Sequence, residues 1–385
     1  MASRTLSISD RLLFFSVIFL LALGVVMVYS ASSIWARQSF HDGLFFLKRH
    51  LVFTAIGFMV MLVMARLDYR FHYRFARWYL LGSVFALTLL MIPGIGKKVG
   101  GATRWLSIAG FTFQPSEVAK ISLILFLAYS LSRKREKIQT FAVGYLPHLL
   151  IGGVFIALLA KQPDFGTLFL ASALLMAMMF IAGVRLLHLA AGVAALIPFL
   201  LLMILKTPYR LERMVTFMNP WRDPHGSGFQ IIQSMAAIHS GSLTGLGLGS
   251  GRGKLFYLPA AHTDFIMTVI AEEFGFIGVA AVLAAFCLIV CRAMMIAQLA
   301  PDLFGRYLAA GIGMLIGIQA ATNIGVVFGM IPTKGLTLPF LSYGGTALIC
   351  NLAAIGILLS IGSQIQLPNR RLPPSSFVDK QKAAE

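Results

Sequence analysis

Few residues in this 385-residue chain could do chemistry, because 58% of its positions are apolar and only 12% are charged. Asp264, in His262-Thr-Asp264-Phe-Ile, stands just ahead of an apolar run that reaches Ala297. A carboxylate at the mouth of such a run can take a proton from a substrate hydroxyl. It can equally be a plain helix N-cap, the commoner use of Asp at that place. Glu272 and Glu273 follow within the run. Adjacent helical residues point roughly 100° apart, so at most one of the two faces a given cavity. The plainer reading pairs one of them with a cation on a neighbouring helix.

Three further groups carry charge near apolar runs. Arg104, in Gly-Ala-Thr-Arg104-Trp, precedes Gln114-Pro-Ser-Glu117 and Lys120. Glu117 and Lys120 are spaced to pair on one helix face. Alternatively Arg104 and Lys120 bind phosphate, Arg through its bidentate fork and Lys as a point charge. Asp164, in Gln-Pro-Asp164-Phe-Gly, has the chemistry of an ordinary tight turn. Lys334 lies in a stretch from Pro332 to Thr346 that holds two prolines and three glycines in an apolar setting. Irregular backbone at membrane depth is tolerated only against protein or a cavity, so this stretch is expected to line one. Polar residues within spans are costly, which makes each of these a candidate.

The elements that must position them follow from the apolar runs. Ten runs, near 12–33, 47–65, 76–93, 116–132, 142–160, 166–183, 189–205, 265–297, 306–330 and 345–364, approach or reach the length needed to cross a hydrocarbon core of about 30 Å. The expected fold is an all-α polytopic membrane protein of about ten transmembrane helices. The first run is too long for the apolar part of a signal peptide and reads as a retained helix. From Asp264 to Ala297 a helix would measure roughly 50 Å, so it must tilt, kink near Gly275 and Gly278, or project above the membrane. Residues 206–264 form a long loop between helices seven and eight. Within it, Leu211, Met214, Val215 and Met218 share one face of an interfacial amphipathic helix, with Arg213 largely off that face. Phe229 to Ile238 is apolar but too short to span, which suits a re-entrant or interface-lying helix. The glycines from Gly241 to Gly253 follow no strand, so a dinucleotide site is excluded and a flexible turn that lets backbone approach a ligand is expected.

The formal net charge is +18. Cations between apolar spans, without interleaved aromatics, point to anionic lipid headgroups rather than nucleic acid. Seventeen Lys/Arg fall in one set of alternate loops and, with the long loop set aside, nine in the other. This places both termini in the cytoplasm and the long loop outside. The outside cations, Lys97, Lys98, Arg104, Lys120, Arg210, Arg213, Arg222, Arg252, Lys254 and Lys334, would then frame an anion site at the outer surface. The three cysteines form no Cys-x-x-Cys pair, which supports neither a disulfide framework nor a zinc site. Residues 1–366 read as one domain and 367–385 as a disordered cytoplasmic tail. Spacing alone suggests a phosphate-bearing amphiphile as ligand and does not name one.

Taken together, these segments resemble the SEDS family (FtsW, RodA and SpoVE) of cell-shape, elongation, division and sporulation proteins. The resemblance runs from Met27-Val-Tyr-Ser-Ala-Ser-Ser33 through GATRW at 101–105, QPSE at 114–117, QPDFGT at 162–167 and HTDFI with AEEFG over 262–275 to TKGLTLPFLSYGG at 333–345. The last motif is similar to the division branch; the stretch ahead of HTDF has some elongation-like character. The resemblance implies a peptidoglycan glycosyltransferase of the bacterial cytoplasmic membrane. It would polymerise lipid II onto a glycan carried by undecaprenyl diphosphate, with inversion at the sugar. It implies Asp264 as the catalytic carboxylate, and Arg104, Glu117, Lys120, Asp164, Arg213, His262, Glu273 and Lys334 as substrate-binding residues. No metal ligand cluster is apparent, although a divalent cation such as Mg or Mn at the diphosphate would share the charge. Implied partners are a class B penicillin-binding protein and other divisome proteins. A lipid II flippase and a non-enzymatic scaffold are the alternatives; the concentration of candidates on the outer side favours the enzyme, since a transporter needs polar residues near the midplane and on both faces.

Overall fold

The computed structural model describes residues 8–99, 102–108, 111–162, 164–224, 226, 228–251, 261–333 and 335–365. Lys334, Arg252, Lys254 and the tail 367–385 lie outside the described residues.

A helix occupies each of the ten expected positions: α1 (Ile8–Phe40), α2 (Phe45–Arg66), α3 (Arg70–Leu89), α4 (Pro115–Arg133), α5 (Leu146–Lys161), α6 (Phe165–Ile181), α7 (Leu186–Leu205), α10 (Ile266–Leu299), α11 (Leu303–Val327) and α12 (Gly345–Ser363). Seven of them, α1, α2, α5 with the π-helical turn before it, α7, α10, α11 and α12, are long and apolar enough to cross a membrane. α6 has 17 residues, and α3 and α4 dilute their apolar runs with charged and polar residues. The chain is a multi-pass membrane protein. α3 begins six residues earlier than its apolar run because the helix continues through Arg70, Arg74 and Arg77. Tyr69 is its N-cap, and just before it Asp68 accepts from the Arg70 amide at 2.9 Å.

α4, α11 and α12 form the middle of the bundle, and most of their residues are buried. α2 lies close against α12 because small residues face each other. A methyl group on Gly57 would come within 2.7 Å of Leu352, and one on Gly356 within 2.4 Å of the Met61 carbonyl. Leu186, Leu187, Ile197, Leu202 and Leu205 leave α7 with an exposed apolar surface suited to lipid.

The 206–264 loop holds the two expected helices, α8 (Pro208–Met218) and α9 (Phe229–Gly241). α9 is anchored by Ser234, whose hydroxyl meets Thr268 of α10 at 2.7 Å and donates to the Val327 carbonyl of α11 at 2.9 Å. α10 kinks at Gly275 (φ 63°, ψ −158°), one of the three ways its length allowed. The break in the helical ladder is filled from the glycine run. Leu246 and Gly247 donate to the carbonyls of Glu272 and Glu273, and Ser242 and Leu243 accept from Phe276 and Ile277, at 2.9–3.2 Å. A side chain at Gly245 (φ 82°) would meet the Glu273 carbonyl at 2.2 Å. The described part of this run therefore approaches the chain's own kinked helix, where a ligand was expected.

One element is absent from the sequence reading. Between α3 and α4, strands β1 (Gly96–Val99), β2 (Ala102–Ile108) and β3 (Phe111–Phe113) form an antiparallel sheet in the order β1-β2-β3. Lys97 pairs with Trp105 and Leu106 with Phe113. Three short strands give too weak a period to stand out beside runs of twenty apolar residues. The sheet carries Arg104.

Candidate active site

The loop ahead of α10 is held by its backbone. Its three consecutive carbonyls each accept from a different place. His262 accepts from the Tyr343 amide at 2.9 Å, Thr263 from the Ser342 hydroxyl at 2.5 Å, and Asp264 from the Asn323 side-chain amide at 2.8 Å. Ser342 also accepts from the Leu338 amide at 2.9 Å, so the 335–345 segment and the Asp264 loop form one unit. His262 stacks near Trp35 of α1 and Phe46 of α2, with ring centroids 5.7 and 4.7 Å away. Burial among these rings holds its imidazole down at about 4, which keeps it neutral. His262 thus braces the loop against α1 and α2.

With its backbone fixed, Asp264 is partly buried at a cavity of about 210 Å³ lined by Arg213, Gln230, Phe265, Asn323, Thr333, Gly335 and Leu336, among others. Phe265 occupies the N-cap position of α10 and no side chain caps the helix. Asp264 is therefore not the helix cap that its position suggests. Its carboxylate makes no hydrogen bond to any described residue. Burial raises its pKa from the usual carboxylate range to about 6, and the charges of Arg213 and Arg104 limit the rise. That combination gives a base that is ionised at neutral pH yet close enough to it to hold a proton. Gly335 (φ 66°) faces the carboxylate, and a methyl there would stand 3.4 Å from Asp264 Oδ2. Arg213, on α8, donates from Nη1 to the Thr333 carbonyl at 3.0 Å, which sets its guanidinium on the cavity wall.

The other candidates separate into groups. Arg104 lies 3.9 Å from Asp164. Asp164 also accepts from the Thr167 amide at 3.3 Å as the N-cap of α6, and from Ser116 at 3.4 Å. The QPSE, QPDFGT and sheet segments therefore meet at Asp164. Glu117 and Lys120 form the pair their spacing allows, at 2.9 Å, and both are buried. Lys120 Nζ donates to Gln319 of α11 at 3.2 Å, and Gln319 donates to the Thr337 carbonyl at 3.0 Å. Glu273 accepts from the Ser30 hydroxyl of α1, which lies 2.7 and 2.9 Å from its two carboxylate oxygens, and is not among the residues lining the cavity. Asn323, Ser342 and Gln230 were not singled out from sequence. A polar Asn inside an otherwise apolar span was the available signal for the first.

No group of three or more His, Cys, Asp or Glu side chains among the described residues could hold a metal ion. Among the described residues Asp264 is the single carboxylate lining the cavity, so a divalent cation there would need substrate oxygens and water for its other ligands.

Known proteins extend these observations. The FtsW/RodA/SpoVE cell cycle protein family model matches residues 10–366. A Trichlorobacter lovleyi protein named "Probable peptidoglycan glycosyltransferase FtsW" is 48% identical over 358 residues, 93% of this chain and 94% of the relative. Stage V sporulation protein E of Bacillus subtilis is 43% identical over 353 residues, 91% of this chain and 96% of that protein. Among solved structures, a chain from a peptidoglycan synthase complex that coordinates polymerization and crosslinking superposes with a TM-score of 0.76 at 31% identity, covering 92% of this chain and 97% of the other. The rod shape determining protein RodA of Thermus thermophilus superposes with a TM-score of 0.69 at 27% identity and the same coverage. The order of motifs, the helical architecture and these matches agree that the chain belongs to the SEDS family, in its FtsW-like branch.

Proposed function

We propose that this chain is a peptidoglycan glycosyltransferase that polymerises lipid II at the outer face of the bacterial cytoplasmic membrane, in septal cell division. The observation that carries this reading is the Asp264 carboxylate: it is free of hydrogen bonds to the described residues, faces a cavity with Arg213, and is raised to about 6. In the reaction, the acceptor oxygen forms a bond to the anomeric carbon of the donor sugar. The bond from that carbon to the diphosphate oxygen breaks, and the acceptor's proton passes to Asp264. The diphosphate leaves with the electron pair and needs no acid. Arg213, with Arg104 nearby, meets the charge that gathers on it. One base and one face of attack give inversion, unlike the two-carboxylate hydrolysis of glycosides.

The same reading puts both termini in the cytoplasm, residues 1–366 in one functional unit, and the 206–264 loop and Lys334 on the substrate side. A penicillin-binding protein is the expected partner, in keeping with the peptidoglycan synthase complex that holds a similar chain. The test is glycan formation from purified lipid II by the wild type and by Asp264→Asn, each with its transpeptidase partner. Polymer from the wild type alone, with both proteins equally folded, is the expected outcome. Equal polymer from both removes Asp264 as the base. No polymer from either, together with lipid II translocation in vesicles, replaces the enzyme with a flippase.

A further inference from the structure

We propose that Asn323 is the positioning residue of this reaction: from near the C-terminal end of α11 it fixes the direction in which the Asp264 carboxylate enters the cavity. This inference rests on the glycosyltransferase reading above. Asn323 Nδ2 donates to the Asp264 carbonyl at 2.8 Å and to the Leu336 carbonyl at 2.6 Å. Both amide hydrogens are thereby used, and the nitrogen is identified by the two acceptors it meets. One side chain ties the loop before α10 to the segment that carries Gly335. That segment passes close enough that a methyl on Gly335 would touch Asp264 Oδ2 at 3.4 Å.

α11 repeats the device one turn earlier. Gln319, four residues before Asn323, donates to the next carbonyl along, that of Thr337. The two amides on one helix face thus grip successive carbonyls, 336 and 337. Gln319 leads from there to the Lys120–Glu117 pair, whereas Asn323 leads to Asp264. Of the two amides, Asn323 is the one that joins the segment to the proposed base.

The amide is not explained by packing. Asn323 is 2% exposed in a helix long and apolar enough to cross a membrane, where a polar side chain is costly. Its Oδ1 is buried with no hydrogen-bond partner among the described residues. A leucine would fill comparable space without stranding an acceptor. What the asparagine adds is its donor half, and both of those bonds end on the two loop segments that meet at the carboxylate. The neighbouring carbonyls of His262 and Thr263 are held separately by Tyr343 and Ser342. Loss of Asn323 should therefore release the Asp264 peptide while leaving the loop in place. Misplacement of a catalytic group by about 1 Å can cost on the order of 100-fold in rate.

The test uses the full-length protein with its transpeptidase partner and purified lipid II. Wild type, Asn323→Leu and Asn323→Asp are compared, with Asp264→Asn as control, and melting temperatures are recorded for all. Leu keeps volume without donors; Asp keeps shape and reverses the polarity toward both carbonyls. The expected result is a kcat lower by about 10- to 100-fold in both variants. KM for lipid II stays within twofold. The acid limb of the pH profile moves to lower pH as the carboxylate gains solvent. If one variant fails to fold, the other carries the test. Unchanged kcat and an unchanged acid limb overturn the proposal, as does a raised KM with kcat intact, which would make Asn323 a substrate contact. A wild type without polymer overturns the glycosyltransferase reading and this proposal with it. An active Asp264→Asn control overturns the base assignment and leaves Asn323 nothing to position.

Discussion

Asp264 and Glu117 are both carboxylates at the head of an apolar helix, Asp264 two residues before α10 and Glu117 in the first turn of α4. Glu117 is 5% exposed and takes the Lys120 ammonium at 2.9 Å, and Lys120 in turn reaches Gln319. Among the described residues Asp264 is held through its backbone, and its carboxylate faces a cavity with arginines at a distance. One carboxylate is ion-paired within the fold, and the other has no hydrogen bond to a described residue. The difference separates a charge that stabilises structure from a charge available to a substrate, although both sit in similar sequence contexts.

Four substitutions or conditions would break or sharpen that contrast. The largest effect is expected for Asp264→Asn, which should lower polymerisation at least ~100-fold, the range of general base catalysis, with the melting temperature unchanged. A melting temperature that falls in step with activity would make Asp264 structural and erase the contrast. Next is Lys120→Met, which strands the Glu117 charge and should cost about 3–5 kcal/mol of stability in thermal or denaturant unfolding. Adding Glu117→Leu should return most of that loss. If Lys120→Met instead melts normally and fails to polymerise, the pair belongs to the chemistry and the distinction collapses. Gly245→Ala forces a side chain into left-handed backbone against the Glu273 carbonyl and should destabilise by about 1–3 kcal/mol through α10, lowering kcat less than stability. The mildest test is pH. Asp264 must be ionised to act as base, so kcat/KM should be flat above about 6 and fall tenfold per unit below it. A profile flat down to pH 5 would place the proton elsewhere.

Arg104 and His262 show why part of the site was legible and part was not. Charged and polar residues are scarce in a chain that is 58% apolar, and each is expensive near a membrane, so the sequence already singles out Arg104, Asp164, Arg213 and Asp264. It does not say that Arg104 rides on a three-stranded sheet and meets Asp164, 60 residues away in the chain. His262 looks like a polar neighbour of the base, and the fold instead sets it among Trp35, Phe46 and Tyr343 as a brace. Burial there raises the Tyr343 phenol as well as lowering the imidazole, so both rings stay neutral.

The sequence by itself determined the membrane class, the ten helices in order and the two short helices of the long loop, and it offered a kink near Gly275 and Gly278 as one of three ways to fit the length of α10. Each of these depends on local apolar length, helical period or a single glycine, all of which are properties of contiguous residues. Only the tertiary structure decided which carboxylate has no hydrogen bond to a described residue. Glu117 finds its cation three residues away, a distance that spacing can read. The partners that fix the Asp264 loop, Asn323 and Ser342, lie 59 positions from Asp264 and 79 from Thr263, and Ser30 meets Glu273 across 243. Pairings at that range are chosen by how the helices pack against one another, and no local pattern along the chain encodes them.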